Sequence, residues 1–274
     1  MSMIPCLTVD LDLPTKKTEL PNTNSVEAVA ESNPAHYPKP EAGFLELDGL
    51  KVSLARPTYG NMQAIPENCL ISALMTAGNH GARWDSNLSP DKLGWGHARN
   101  FATEGFYSGS KDADGMLWVD SDIIMPTWAV WKLLSSAVMG YDFVTGVYFN
   151  RGNPFAPVIY ERRECINAYA NVQSFPANTM WNIDGCGFGF CYTSRRVIEG
   201  IASLPDFNPK TGWFPDTRYQ KGGRGEDFNF CIAAKQAGFD IWADTSILLG
   251  HEGNPHVFTV LDHKKAHDTD DALQ

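Results

Sequence analysis

The sequence has no hydrophobic run long enough to cross a bilayer, and residues 1–20 lack a basic segment followed by an apolar one. A membrane-spanning helix needs about 20 apolar residues, so none is expected, and no secretory signal is predicted. The six cysteines form no Cys-x-x-Cys pair, which argues against a zinc site or a disulfide framework. We therefore expect free thiols and a cytoplasmic location, the host cytoplasm if the chain is phage-encoded.

Positive charge is also scarce. The chain has 22 Lys and Arg against 32 Asp and Glu, which gives a formal net charge of −10. The surplus of acids lies mainly in residues 1–50 and 262–274, so residues 51–261 carry a net charge of only −3. Neither a basic surface for nucleic acid nor a polybasic membrane patch is indicated.

What is present is enough apolar sequence for a large core, since 43% of the 274 residues are hydrophobic. Strand-like runs alternate with helix-length segments, which predicts an α/β fold with a mixed, mainly parallel sheet flanked by helices. We place this single domain at residues 43–256. Residues 1–42 are polar and Pro-rich without apolar periodicity, which predicts a flexible arm, and residues 257–274 are predicted to form a polar tail.

The chain is organised around residues 116–126, where an apolar run stops at two carboxylates and then resumes. In an extended chain Asp120 and Asp122 point to the same side, and Mg²⁺ or Mn²⁺ would neutralise their repulsion. Asp-x-Asp also occurs at 10/12, 112/114 and 268/270, so the spacing alone is weak evidence. The pair at 120/122 is set apart because it directly follows a strand-like run.

Two other segments have both a structural and a functional interpretation. Glu226 and Asp227 begin a predicted helix, where acids are favoured by the helix dipole, so their residue types alone favour a structural role over a catalytic one. The glycine-rich segment 184–191 is either a tight turn between core strands or a place where backbone approaches a ligand closely.

Taken in order, residues 98–100, 118–122, 184–190, 225–227 and 250–253 resemble the metal-dependent glycosyltransferases of the GT-A fold, over about residues 50–256. The resemblance implies a nucleotide-sugar donor and a Mn²⁺ or Mg²⁺ cofactor; a UDP-sugar is favoured, with a GDP-sugar left open. It implies Asp122 as the direct metal ligand and His251 as a second ligand. Asp120 would meet the ribose, or the metal through water.

The resemblance also implies a catalytic pair and two binding regions. Asp227 would be the general base of an inverting transfer, with Glu226 orienting the acceptor, although retaining enzymes use the same scaffold. The residues expected at the nucleotide are Pro57, Thr58, Tyr59, Asp85, Arg99, Asp120 and Ser121. The residues expected at the sugar or acceptor are Trp181, Asp184, Gly185 and Trp213, and for the two tryptophans core packing is the alternative.

The acceptor is left open as a glycan, a metabolite, a protein or hydroxymethylated DNA, which some bacteriophage glycosyltransferases of similar size modify. Nucleic acid enters only as that modified acceptor, and no pattern indicates an oligomeric state. A sugar-nucleotide pyrophosphorylase is a second hypothesis, but its glycine-rich basic loop is replaced by Pro57, Thr58 and Tyr59. A third hypothesis is a carbohydrate-binding protein that catalyses no reaction. Such a protein would not need this combination of acidic residues and a histidine.

Overall fold

The computed structural model describes residues 33–37, 39–58, 64–152, 155–163, 168–253, 257–260 and 262. A short 3-10 turn, Pro34–His36, precedes five α-helices in the described residues. They are α1 (Ala64–Asn79), α2 (Trp95–Gly109), α3 (Ala129–Val138), α4 (Arg195–Ala202) and α5 (Glu226–Gln236). The strands are β1 (Lys51–Ala55), β2 (Arg83–Leu88), β3 (Gly115–Val119), β4 (Ile123–Ile124), β5 (Phe143–Val147), β6 (Ile159–Arg163), β7 (Ala168–Asn171), β8 (Met180–Ile183), β9 (Gly185–Cys186), β10 (Phe190–Ser194), β11 (Ile241–Leu248), β12 (Gly250–Glu252) and β13 (Val257–Phe258).

The central sheet has seven strands in the order β2-β1-β3-β10-β5-β11-β8. Strands β1, β2, β3, β5 and β11 run in one direction, and β10 and β8 run against them. This arrangement confirms the expected α/β class with a mixed, mainly parallel sheet.

Helices cover both faces of this sheet, and β3 shows why its sequence is apolar throughout. Met116 and Trp118 belong to the core that includes residues of α2, α4 and α5, whereas Leu117 and Val119 belong to the core under α1 and α3. A strand covered on both faces reads as a continuous hydrophobic run rather than an alternating one. The run stops where the sheet edge begins, at Asp120.

Two small sheets lie beside the large one. β12 pairs with β4 and β13, and this pairing sets His251 opposite Ile123, one residue after Asp122. β6 pairs with β7 and with β9. Both small sheets therefore bring late segments of the chain to the edge where β3 ends.

Several strands differ from the extent that their residues predict. The residues predict a strand near 81–84 with Asp85 in the following loop, but β2 includes Asp85. They predict a strand over 239–243, but β11 runs from Ile241 to Leu248. β8 was not predicted at all. β2 and β8 are the two edge strands, so half-exposed polar residues weaken their apolar signal.

The predicted terminal segments are described only in part. Trp128 donates an indole hydrogen bond of 2.9 Å to the carbonyl of Tyr37, so residues 33–37 lie against the fold. Residues 1–32 and 263–274 fall outside the described part of the chain, and the domain bounds at 43 and 256 stay predictions. No helix in the described ranges combines the length and apolarity that crossing a membrane requires.

Candidate functional site

A pocket of about 530 Å³ opens where β3 and β5 end. This is the edge of an open α/β sheet at which ligands bind. Its charged lining residues are Arg99, Asp120, Asp122, Arg151, Arg218, Glu226, Asp227 and His251. The structure thus brings both carboxylates of the strand end together with the late histidine and the acidic pair of α5.

Asp122 and His251 face each other across one side of the pocket. His251 Nδ1 lies 2.7 Å from the carbonyl oxygen of Phe149. Since a carbonyl only accepts, Nδ1 carries the proton. In the neutral imidazole the lone pair is then on Nε2, which lies 3.4 Å from Asp122 Oδ2. The other oxygen, Asp122 Oδ1, is buried without a hydrogen-bond partner in the described residues.

This pair has the donor atoms that a hard divalent cation takes from a protein. In the described residues, no group of three or more His, Cys, Asp and Glu side chains could hold a metal ion. Mg²⁺ and similar ions commonly use only one or two carboxylates and complete their shell with water and substrate phosphates. The orphaned Asp122 oxygen and the oriented His251 therefore fit such a cation when a phosphate ligand is present.

Arg151 supplies positive charge at the same place. Its Nη1 lies 3.0 Å from Asp122 Oδ2, and its side chain is half exposed. Burial would raise the pKa of Asp122, but the charge of Arg151 and, when Nε2 also carries a proton, the hydrogen bond and charge of His251 together lower it. Asp122 is therefore held as the carboxylate, the form that binds a cation.

Arg99 and Asp120 form the floor of the pocket. The Arg99 side chain is only 3% exposed, and its Nη2 donates to both carboxylate oxygens of Asp120 over 3.3 Å. Burial raises the pKa of Asp120 to about 7, although the Arg99 guanidinium opposes that rise. Asp120 is thus a weaker acid than Asp122, and the two carboxylates differ in environment.

The same guanidinium binds the acidic pair at the start of α5. Arg99 Nη1 donates to Glu226 Oε1 over 2.9 Å and lies 3.2 Å from Asp227 Oδ1. Arg218 Nη2 lies 3.7 Å from the other Glu226 oxygen. Burial raises the pKa of Asp227 to about 6, and Arg99 and a hydrogen bond from the Phe188 backbone act against that rise.

The glycine turn after β9 is explained by packing against Tyr148. A Cβ at Gly187 would lie 2.2 Å from the Tyr148 hydroxyl oxygen, and a Cβ at Gly189 would lie 2.6 Å from Tyr148 Cζ. Gly189 N–H also donates to that hydroxyl over 3.0 Å. Close packing against Tyr148 is therefore enough to explain why positions 187 and 189 are glycine, without a ligand.

The predicted nucleotide contacts at the end of β1 lie outside the pocket lining. Pro57 and Thr58 are buried, and Thr58 donates to Asp91 over 3.1 Å. Asp85 forms a 2.7 Å ion pair with Lys51. Ser121 is partly buried beside the pocket residues, and Tyr59 is outside the described residues.

The predicted acceptor residues are also displaced from the pocket lining. Asp184 pairs with Lys235 over 2.8 Å, and Gly185 is paired with Tyr160 in the sheet. Trp213 is 5% exposed and donates its indole N–H to the Ile198 carbonyl, so it packs in the core. Trp181 lies on β8 and packs partly buried against the same core.

Several lining residues were not singled out from the sequence. They are Trp95, Tyr148, Asn150, Arg151, Val158, Tyr160, Arg218 and Phe228. Residues 148–151 directly follow β5, so the rule that open sheets bind ligands at strand ends would have found them. The strand-end rule would not have found Tyr160 and Arg218, because a hairpin and a loop bring these two residues to the pocket.

Comparison with known proteins gives a distant likeness in fold. No family model and no curated protein matches the chain. A crystal structure of A197 from STIV is 17% identical with a TM-score of 0.45, over 76% of this chain and 93% of that one. A crystal structure of GalNAc-T7 with UDP, GalNAc and Mn²⁺ is 10% identical with a TM-score of 0.45.

In that second case the match covers 74% of this chain and only 44% of the other. At such identities the likeness concerns the course of the backbone alone, so the chemistry has to be inferred from the pocket residues.

Proposed function

We propose that the protein is a metal-assisted glycosyltransferase that moves a sugar from a nucleoside diphosphate sugar, with UDP-sugar favoured, to an acceptor hydroxyl. The observation that carries the proposal is the convergence of Asp122 and His251 with Asp227 in one pocket. Transfer from a nucleoside diphosphate requires two separate groups. A cation-binding pair stabilises the leaving diphosphate, and a carboxylate takes the proton of the acceptor hydroxyl.

On the donor side, Asp122 and His251 would hold Mn²⁺ or Mg²⁺ together with the diphosphate. When bound, such an ion stabilises the negative charge that develops on the leaving diphosphate. The Phe149 carbonyl fixes the His251 ring through Nδ1, which keeps Nε2 turned toward the cation position. Asp120 would meet the ribose, or the ion through water, from its position above Arg99.

On the acceptor side, Asp227 would take the proton from the attacking hydroxyl, and displacement would invert the anomeric carbon. Glu226 shares Arg99 with Asp227, and it would hold the start of α5 in place. Arg99 was expected to contact the nucleotide. We assign it instead a positioning role, because its guanidinium is buried and already engaged by three carboxylates.

The experiment is calorimetric binding of UDP and of GDP, each with Mn²⁺ and with EDTA, to the wild type and to Asp122→Asn. We expect UDP to bind with Mn²⁺ only, and the substitution to abolish that binding. Asp112→Asn is the matched control, since Asp112 belongs to another Asp-x-Asp pair and is exposed. Equal weak binding under all conditions would overturn the proposal and favour a carbohydrate-binding protein without turnover.

A further inference from the structure

The hairpin formed by β6 and β7 presents aromatic and basic side chains on one face. Arg162 pairs opposite Tyr169 in the antiparallel register, and Tyr160 precedes Arg162 by two residues. Residues directly opposite each other, and residues two apart on a strand, share one face of a sheet. Tyr160, Arg162 and Tyr169 therefore lie on the same side of the hairpin.

Phe228 from α5 packs against that face and joins it to the pocket. Its ring centroid lies 4.5 Å from that of Tyr160 and 5.3 Å from that of Tyr169. Tyr160 and Phe228 both line the pocket, together with Asp227. All three rings remain partly exposed, so an aromatic surface stands directly beside the proposed base.

Two guanidinium groups border this surface. The Arg224 guanidinium lies over the Tyr169 ring, with its carbon 5.9 Å from the centroid. Burial raises the pKa of Tyr169, and the nearby charges of Arg162 and Arg224 act against that rise. Within the described residues no carboxylate forms an ion pair with Arg224, and the neighbouring Asp184 is paired with Lys235.

We propose that Tyr160, Tyr169, Phe228 and Arg224 form an acceptor-binding wall, and that the acceptor is a ring compound bearing a phosphate. The inference rests on the proposed function, because the acceptor hydroxyl must reach Asp227. Aromatic faces pack against sugar or base rings, and a stacked guanidinium presents a planar set of donors that matches phosphate. A sugar phosphate and a nucleotide share this chemistry.

The phosphate-binding end of the wall lies outside the proposed donor site. Tyr160 and Phe228 line the same pocket as Asp122 and His251, whereas Arg224 and Tyr169 are not among the lining residues. An acceptor phosphate bound at Arg224 would therefore not compete with a nucleoside diphosphate held at Asp122. This separation makes the two sites testable independently.

The test is calorimetric titration of the protein saturated with UDP and Mn²⁺, using two pairs of probes. The pairs are glucose with glucose 6-phosphate, and deoxycytidine with deoxycytidine monophosphate. We expect the phosphorylated member of at least one pair to bind about tenfold or more tightly than its partner, as a charge-assisted hydrogen bond provides. The pair that shows the larger gain identifies the acceptor as a sugar phosphate or as a nucleotide.

Two variants assign the gain to Arg224. Arg224→Gln should remove the preference for the phosphorylated probe and leave UDP binding with Mn²⁺ unchanged. Arg163→Gln makes the same change in charge on the opposite, exposed side of β6, and it should keep the preference. Phe228→Leu should weaken both members of each pair, with a circular dichroism spectrum and melting temperature recorded to verify folding.

Equal binding of phosphorylated and unphosphorylated probes would overturn the inference, and so would an equal loss in Arg163→Gln and Arg224→Gln. A preference seen only in the UDP-free protein and lost on saturation with UDP and Mn²⁺ would also overturn it, because the phosphate would then occupy the donor site. If UDP fails to bind with Mn²⁺ while the preference at Arg224 persists, the wall stands as a phosphate-binding site and the glycosyltransferase proposal fails.

Discussion

Arg99 donates a hydrogen bond of 2.9 Å to Glu226, which lies 127 residues later in the chain. The same guanidinium binds Asp120 and Asp227. One buried cation therefore connects α2, the end of β3 and the start of α5. Three carboxylates in a partly desolvated place would repel each other without it.

Removal of this guanidinium should be costly to stability. Arg99→Met is expected to lower the free energy of unfolding by about 3–5 kcal/mol, because it leaves buried carboxylates without a cation. Urea denaturation measures the loss, and exposed Arg163→Gln should stay within about 0.5 kcal/mol of the wild type. An Arg99→Met variant as stable as this control would show that water already solvates the three carboxylates.

The pH dependence of activity should report Asp227. A general base acts in its deprotonated form, and burial raises the pKa of Asp227 to about 6. Hydrolysis of a UDP-sugar, followed as kcat/KM, should rise roughly tenfold per pH unit below about 6 and level off above it. Asp227→Asn should be inactive at every pH, whereas a flat profile in the wild type between about pH 5 and 7 would argue against this base.

The packing of the glycine turn predicts a specific rescue. Gly187→Ala places a Cβ 2.2 Å from the Tyr148 hydroxyl oxygen and 2.7 Å from Val158 Cγ1, so overpacking should cost about 1–3 kcal/mol. Tyr148→Phe removes the closest atom and should recover part of that loss in a double-mutant cycle. Gly109→Ala, which meets no atom within 4 Å, is the control. Strictly additive losses would place the strain at Val158 instead.

Two roles of Asp85 can be tested against each other. One is the predicted contact with the nucleotide, and the other is its ion pair with Lys51. Hydrogen bonds from Lys51 and Ser110 lower the pKa of Asp85. A depressed folded-state pKa contributes stability above the unfolded value of about 3.9 and loses it as the pH falls through the folded value.

Asp85→Asn should therefore be slightly less stable than the wild type near neutral pH, since partly exposed ion pairs contribute little. In melting curves recorded across pH, the difference should begin to shrink below about pH 4 and vanish only once the pH is below the lowered folded-state pKa of Asp85. We expect UDP binding with Mn²⁺ to be unchanged, and its loss in this variant would favour the nucleotide contact.

The sequence predicts the central sheet well because most of its strands are buried on both faces. β1, β3 and β5 are apolar runs with few alternatives, and β1 was expected with the bounds that are observed. β2 and β8 were harder because edge strands carry polar, half-exposed residues. The pattern of apolar residues reports burial, and it says little where a strand is open to solvent.

The candidate site was predictable only as a set of residue types. Asp120 and Asp122 followed from their place after a buried strand, but their partners depend on tertiary packing. Arg99 was expected at the nucleotide because of the family resemblance, with a surface salt bridge on its helix as the alternative. The ion pairs of Arg99 with three acids from two distant segments cannot be recognised from the sequence around Arg99. The aromatic wall on β6 cannot be recognised from the sequence either, since Ile159 is the only fully buried residue of that strand.

The pairing of β12 with β4 also sets an order of events during synthesis. Asp122 emerges from the ribosome well before His251, and the two meet only when β12 lies against β4. Until then the nascent chain holds the strand-end carboxylates without their histidine. Any cation that needs both side chains could thus be captured only after nearly all of the described chain has been made.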